Sequence, residues 1–159
     1  ELLDFKNTEG ADDIRSQLKE WEESGRMDAA AVKLVRPSVL EQFLKSPLAE
    51  RMRAADKNGR LYKERQFVIG IPAREMDEAD SDELVLIQGI MDAWFEEEDG
   101  AVLVDYKTDR VPAGGEQILI DRYGAQMQYY SRALSQITGK PVKEALLYSL
   151  TLQKAIRVK

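Results

Sequence analysis

The chain contains no cysteine and no histidine among its 159 residues. Without cysteine there are no disulfides, thiolate zinc sites, iron–sulfur clusters or thiol nucleophile. Without histidine the commonest general base and the Ser-His-Asp triad are excluded. Any bound metal must therefore be held by oxygen, which favours Mg2+, Mn2+ or Ca2+ over zinc. Long apolar runs are also missing. Nothing approaches the length of a membrane span and no signal peptide opens the sequence, so no membrane partner is expected.

What is present is charge, unevenly spread. The length suits one domain with a real core, and 43% hydrophobic against 33% charged residues is a globular balance. The net charge is −6, yet residues 1–100 hold 24 acidic and 14 basic side chains while residues 101–159 hold 5 and 9. A locally basic C-terminal part can face phosphate. Simple solvation of both parts explains the charge pattern equally well.

The first sixty residues read as helices. Ile14, Leu18 and Trp21 fall at helical spacing before Gly25, and D-A-A-A-V-K-L-V is a short second helix. Pro37 and Pro47 suit the first turns of two more, with Ser46 as a cap, and Asn58-Gly59 marks a turn. From residue 61 the pattern changes to L-Y-K-E-R-Q-F-V-I-G-I-P, a strand, followed by an acidic loop over residues 73–83. L-V-L-I-Q-G-I-M-D-A-W-F and A-V-L-V-D-Y-K-T read as a hairpin with Asp99-Gly100 as its two-residue loop. An amphipathic helix over 117–138 and two closing strands complete a mixed α/β domain.

The hairpin carries the chemistry. With that loop, Trp94 faces Asp105 and Asp92 faces Lys107, and period-two alternation puts Asp92, Asp105 and Lys107 on one face. A loop two residues longer keeps them together, whereas a one-residue bulge separates them. Two carboxylates on adjacent strands suit a hard divalent cation, and an amine beside them suits a phosphodiester. A cross-strand ion pair worth under about 1 kcal/mol is the competing reading, and geometry alone slightly favours it. Gln126 and Tyr130, four apart on the helix, share the stripe that packs on the sheet. They also read as a boundary residue and a core aromatic.

Together, G-I-M-D-A-W-F-E-E-E-D-G-A-V-L-V-D-Y-K-T-D and Y-G-A-Q-M-Q-Y-Y-S-R-A-L resemble the RecB-type nuclease family of the PD-(D/E)XK superfamily, most like the nuclease domains of AddA-type helicase–nuclease subunits. The matching run covers residues 87–134, with Y-K-E-R-Q-F at 62–67 as the preceding strand. The resemblance implies a restriction-endonuclease-like core, a mixed sheet flanked by helices, over 61–159, with a helical N-terminal part over 1–60.

In function it implies the nuclease domain of an ATP-dependent helicase/exonuclease subunit that processes double-strand breaks for recombinational repair in the bacterial cytoplasm. Asp92 and Asp105 would be metal ligands, joined by the backbone carbonyl of Tyr106. Lys107 would be the catalytic lysine, with Gln126 and Tyr130 supporting it near the bound strand, and Glu64 is a further candidate. Thr108 and Asp109 match the motif without an assigned role. The implied cofactor is Mg2+, with Mn2+ as substitute. The implied partners are DNA, the helicase portion of the same chain and an AddB-type subunit, whose own nuclease domain uses cysteines absent here.

The family carries a metal-binding histidine on an upstream helix, and the expectation is that this sequence starts downstream of it. The alternative is a catalytically impaired nuclease-like module that binds DNA or docks a partner.

Overall fold

Four short helices open the chain, each started by the local signal its sequence offers; the computed structural model describes residues 4, 7, 8, 10–75 and 83–158. Helix α1 spans Ala11–Glu23 and buries Ile14, Leu18 and Trp21, the residues set at helical spacing. Helix α2 (Ala29–Leu34) is capped by Asp28, whose carboxylate accepts from the Ala31 N–H at 2.7 Å. Helices α3 (Pro37–Leu44) and α4 (Pro47–Lys57) both start on proline. Ser46 accepts from the Ala49 N–H at 3.2 Å, which satisfies a donor that the first turn of α4 leaves unpaired.

Five strands follow: β1 (Leu61–Pro72), β2 (Leu84–Glu97), β3 (Gly100–Lys107), β4 (Val142–Ser149) and β5 (Lys154–Arg157). They lie in the order β1-β2-β3-β4-β5. Neighbours are antiparallel except β3 and β4, which are parallel and are joined through helix α5 (Glu116–Thr138). A parallel pair needs such a crossover. Gly139 ends α5 in the left-handed conformation, at φ 67°. The acidic loop expected after β1 begins as a 3-10 turn at Ala73–Glu75, and residues 76–82 lie outside the described residues. Among the described residues no helix is long and apolar enough to cross a membrane.

Both faces of the sheet are covered over β3 and β4, whereas the outer stretch of β1 and β2 leaves Val68, Leu84, Leu86 and Ile90 exposed. Phe43, Leu48 and Met52 from the N-terminal helices pack on Phe95, Val102, Val104 and Tyr148. On the other side Leu119, Met127 and Leu134 of α5 pack on Phe67, Trp94, Leu103 and Leu147. Strand β3 is buried on both faces, which explains its unbroken A-V-L-V run.

The hairpin register differs from the expected one. The pairs are Ala93 with Val104, Trp94 with Leu103 and Glu97 with Gly100, so the loop is Glu98-Asp99 rather than Asp99-Gly100. Trp94 therefore does not face Asp105, and Asp92 does not face Lys107. The reason is Gly100, which belongs to the strand. It has φ 150°, a Cβ there would lie 2.6 Å from the Pro141 carbonyl oxygen, and that oxygen accepts from the Ala101 N–H at 2.9 Å. The close approach of the chain before β4 uses the glycine that the loop was expected to use. The register moves by two partners, which keeps the paired segment, Ala93–Glu97 with Gly100–Val104, on its expected faces.

At this hairpin end the layers are joined by charge. Arg51 of α4 makes a bidentate contact to Glu97 at 2.9 and 3.0 Å and a third bond to Glu144 at 2.6 Å. Lys143 holds Glu97 from the other side at 2.5 Å. The Arg51 hydrogen bond, reinforced by Lys143, lowers the Glu97 carboxyl to about 2. A depressed carboxyl contributes stability that is present above its unfolded value and is lost as the pH falls through the folded one. We predict that Arg51→Met costs about 1 kcal/mol at neutral pH, a figure discounted for solvent screening. In urea titrations that deficit should shrink between pH 4.5 and 2.

Candidate active site

The ladder between β2 and β3 is regular up to Ala93 and Val104. One residue further along, the Asp92 carboxylate Oδ2 accepts from the backbone N–H of Tyr106 at 2.8 Å. A side chain thus takes the place of the carbonyl that a continued ladder would offer. The alternation of β2 reverses here: Met91 packs with the α5 side and Ala93 with the helical N-terminal side. Strand β1 reverses at the same level. Tyr62 and Phe67, five apart, both lie on the α5 side, and between them Glu64 has φ 51°. A left-handed glutamate costs on the order of 1–2 kcal/mol. The pairing skips Glu64, running from Lys63 with Ala93 to Arg65 with Met91, which sets Glu64 level with Asp92.

Asp105 sits on the α5 face of β3 and is 3% exposed. Burial pushes its carboxyl above the ordinary range against the pull of Lys107, and the nearby charge of Asp92 pushes it the same way. Its Oδ2 lies 2.5 Å from Lys107 Nζ but has no hydrogen bond of directed geometry. That contact is an ion pair that leaves a lone pair on a buried oxygen unsatisfied. The ammonium also reaches Gln126 Oε1 at 3.4 Å and lies 4.0 Å from the centre of the Tyr123 ring, a cation–π contact.

Asp92, Asp105, Lys107 and Gln126 therefore come together where β2 and β3 part. Tyr106 contributes only backbone. Its ring points to the opposite face, edge-on to Phe43 at 5.5 Å, with its hydroxyl near Met52 sulfur at 3.7 Å. Tyr130 is not brought to the carboxylates. One turn beyond Gln126, its ring meets Phe67 edge-on at 5.0 Å, and its hydroxyl lies 2.9 Å from where a Cβ on Gly89 would sit. Glu64 is exposed and, among the described residues, has no ion-pair partner. Within the same residues no three of His, Cys, Asp and Glu cluster closely enough to hold an ion by themselves.

Two further side chains complete the site, and the sequence motif marks neither. Tyr123 lays its ring against Lys107 and donates its hydroxyl to Asp109, at 3.0 and 2.9 Å to the two carboxylate oxygens. Arg122 pairs with the same carboxylate. These bonds, the Tyr123 hydroxyl first, hold Asp109 below the usual carboxylate range. The segment leaving β3 is thereby fastened to α5, and the helix is fixed over the lysine. The available signal was the two-residue step from Lys107 to Asp109 opposite the three-residue step from Tyr123 to Gln126.

The sequence profile of the PD-(D/E)XK nuclease superfamily matches residues 5–158. Curated relatives include ATP-dependent helicase/nuclease subunits of type A. That of Lachnoclostridium phytofermentans is 37% identical over 193 residues, covering 100% of this chain and 14% of its own length. Its counterpart from Acetivibrio thermocellus is 41% identical over 144 residues, covering 87% of this chain and 11% of its own. That of Clostridium perfringens strain SM101 is 36% identical over 162 residues, covering 98% and 13%. The chain thus spans about an eighth of the length of these relatives. A crystal structure of SSO0001 superposes on 89% of this chain and 59% of its own, with a TM-score of 0.43 at 14% identity. With its profile match running through nearly every residue, the chain belongs to the PD-(D/E)XK nuclease superfamily.

Proposed function

We propose that this chain is the nuclease portion of an ATP-dependent helicase/nuclease of the AddA type and that it hydrolyses DNA phosphodiester bonds with Mg2+, Mn2+ serving as substitute. The observation that carries this reading is the convergence of Asp92, Asp105 and Lys107 at the parting of β2 and β3, with a buried Asp105 oxygen left without a hydrogen bond. Such an oxygen fits a cation. Mg2+ is held by one or two carboxylates and keeps several waters, so a pair of carboxylates without a third acidic side chain among the described residues can hold it. Asp92, Asp105 and the Tyr106 carbonyl would hold it. When bound, the ion supplies Lewis acidity toward a phosphoryl oxygen and offsets negative charge.

The residues of the chain divide the remaining work. Lys107 has three donors. Gln126 accepts from one, Asp105 pairs with the ammonium by charge, and a donor is left available to a phosphate oxygen or the attacking water. The Tyr123 ring and Gln126 fix the ammonium, so its orientation is set before substrate arrives. Tyr130, one turn further along α5, would meet the strand beyond the scissile bond, and Glu64, level with Asp92, would add negative charge at the rim. By the names of its relatives the whole protein also carries a helicase. We assign it to double-strand break processing and recombinational repair in the bacterial cytoplasm, beside an AddB-type partner.

A second reading is a module that binds DNA or docks a partner without cutting. It is favoured by the absence, among the described residues, of a three-ligand acidic or histidine cluster.

Two outcomes decide between them. With Mg2+ or Mn2+ the chain should cut single-stranded DNA, and Lys107→Ala should lower the rate at least about 100-fold while keeping the thermal transition. The carboxyl of Asp105 is raised, so its contribution to stability is present at low pH and lost as the pH rises through the folded value. At neutral pH the ionised group therefore costs stability. Asp105→Asn should melt higher than the parent without metal, by about 2–4 °C. Mn2+ should raise the melting temperature of the parent but not that of the variant, by calorimetry.

A further inference from the structure

A groove of about 430 Å3 opens where β3 and β4 end, between those strand ends and the α2–α3 corner. Its walls include Leu34, Arg36, Val39, Thr108, Arg110 and Thr151. Thr108 directly follows Lys107, and the Lys107 carbonyl accepts from the Leu150 N–H at 2.9 Å, so the groove starts at the backbone of the proposed catalytic lysine. The Lys107 side chain points the other way, to α5. The proposed catalytic cluster and the groove thus flank one strand end.

Three properties stand out in this groove. Arg36 and Arg110 are exposed and have no carboxylate partner among the described residues, whereas Lys107, Arg122 and Lys154 are each paired with one. Two unpaired guanidiniums facing one groove make a site of positive potential. Much of the remaining wall is aliphatic, from Leu34, Val35, Val39, Leu40 and Leu150, with Leu34 82% exposed. Finally, Arg110 is three residues from Lys107, so their Cα atoms are at most about 11 Å apart.

We propose that this groove binds the single-stranded stretch of nucleic acid next to the scissile phosphate, with Arg36 and Arg110 on successive phosphates and the aliphatic wall against the bases. The inference rests on the nuclease reading and deepens it by naming the surface and the two side chains that hold the strand. Charge complementarity argues for a phosphate-bearing polymer. The aliphatic wall argues for a single strand, because a duplex hides its base faces in its own stack whereas a single strand exposes them. Thr108 and Thr151 add hydroxyls that can donate to phosphate. The two arginines are positioning residues: they hold the strand and do not touch the reacting atoms.

The test is anisotropy of a fluorescein-labelled oligothymidylate titrated with the chain in EDTA, where no cutting occurs. The parent should bind, and Arg36→Ala with Arg110→Ala should weaken binding by about tenfold and reduce the slope of log affinity against log salt by about 1.4, as expected for two contacts on a single strand. The double arginine-to-lysine variant should keep most of the affinity, and Leu34→Glu should lose it. In cleavage assays the double alanine variant should raise KM and leave kcat near the parental value. Failure of the parent to bind, or unchanged affinity and salt slope in the double alanine variant, overturns the proposal. Catalysis is read separately: strand binding through the arginines without cutting would sink the nuclease reading alone, and cutting that ignores them would sink only the groove.

Discussion

Everything at the charged end of this sheet depends on one hydrogen bond, from the Tyr106 backbone N–H to the Asp92 carboxylate. Where β2 departs from β3, a backbone donor loses its ladder partner, and an unpaired buried donor costs roughly 1–3 kcal/mol. Asp92 removes that cost with a side chain. The same bond keeps its negative charge close to Asp105, whose own carboxyl is raised by burial first and by Asp92 in addition. A fold selected for stability alone would avoid two neighbouring carboxylates beside one ammonium. Strain adds to the cost, since the left-handed Glu64 sits level with Asp92 in the next strand.

The crossover helix supplies what the strands cannot. Because β3 and β4 run parallel, the chain must return over one face, and α5 passes directly above Lys107. Its Tyr123 and Gln126 confine the ammonium, while the Asp109 clamp prevents the leaving segment from drifting off the helix. The flexible tether of a lysine is thereby turned into a fixed donor, as the proposed reaction at phosphate would require. The parallel β3–β4 pair and the lysine's environment are one structural fact.

Much of this is legible in the residues. Ile14, Leu18 and Trp21 mark α1, Ser46 marks the start of α4, and the A-V-L-V run with its terminal charges marks β3. The hairpin loop lies one residue earlier than expected because Gly100 looks like a turn glycine, and nothing local shows that Pro141, forty residues on, needs its open side. Alternation is a sound guide for Asp105 and Lys107 but not for Asp92, where β2 reverses its faces. The reversal follows from two strands yielding together at residues 64 and 92, a tertiary event. Tyr123 can be placed on the inward stripe of α5, yet its contact with Lys107 depends on the path of residues 108–115, which no periodicity encodes. Tyr130 shares that stripe and nevertheless packs toward Phe67 and Gly89, because successive turns of the helix pass over different strands.

The glycine at the start of β3 has a further meaning. At Gly100 the backbone is pinned against the Pro141 carbonyl with no room for even a methyl group. That anchor is a fixed origin for counting along the strand, and the run Ala101–Val104 that follows it is fully buried. Asp105 and Lys107 are thus set at their height by a ruler whose zero mark lies at the opposite end of the sheet. Lengthening or shortening the interval by one residue would turn both charged groups toward the wrong helix layer, so the site depends on the spacing between anchor and charge as much as on the charges themselves.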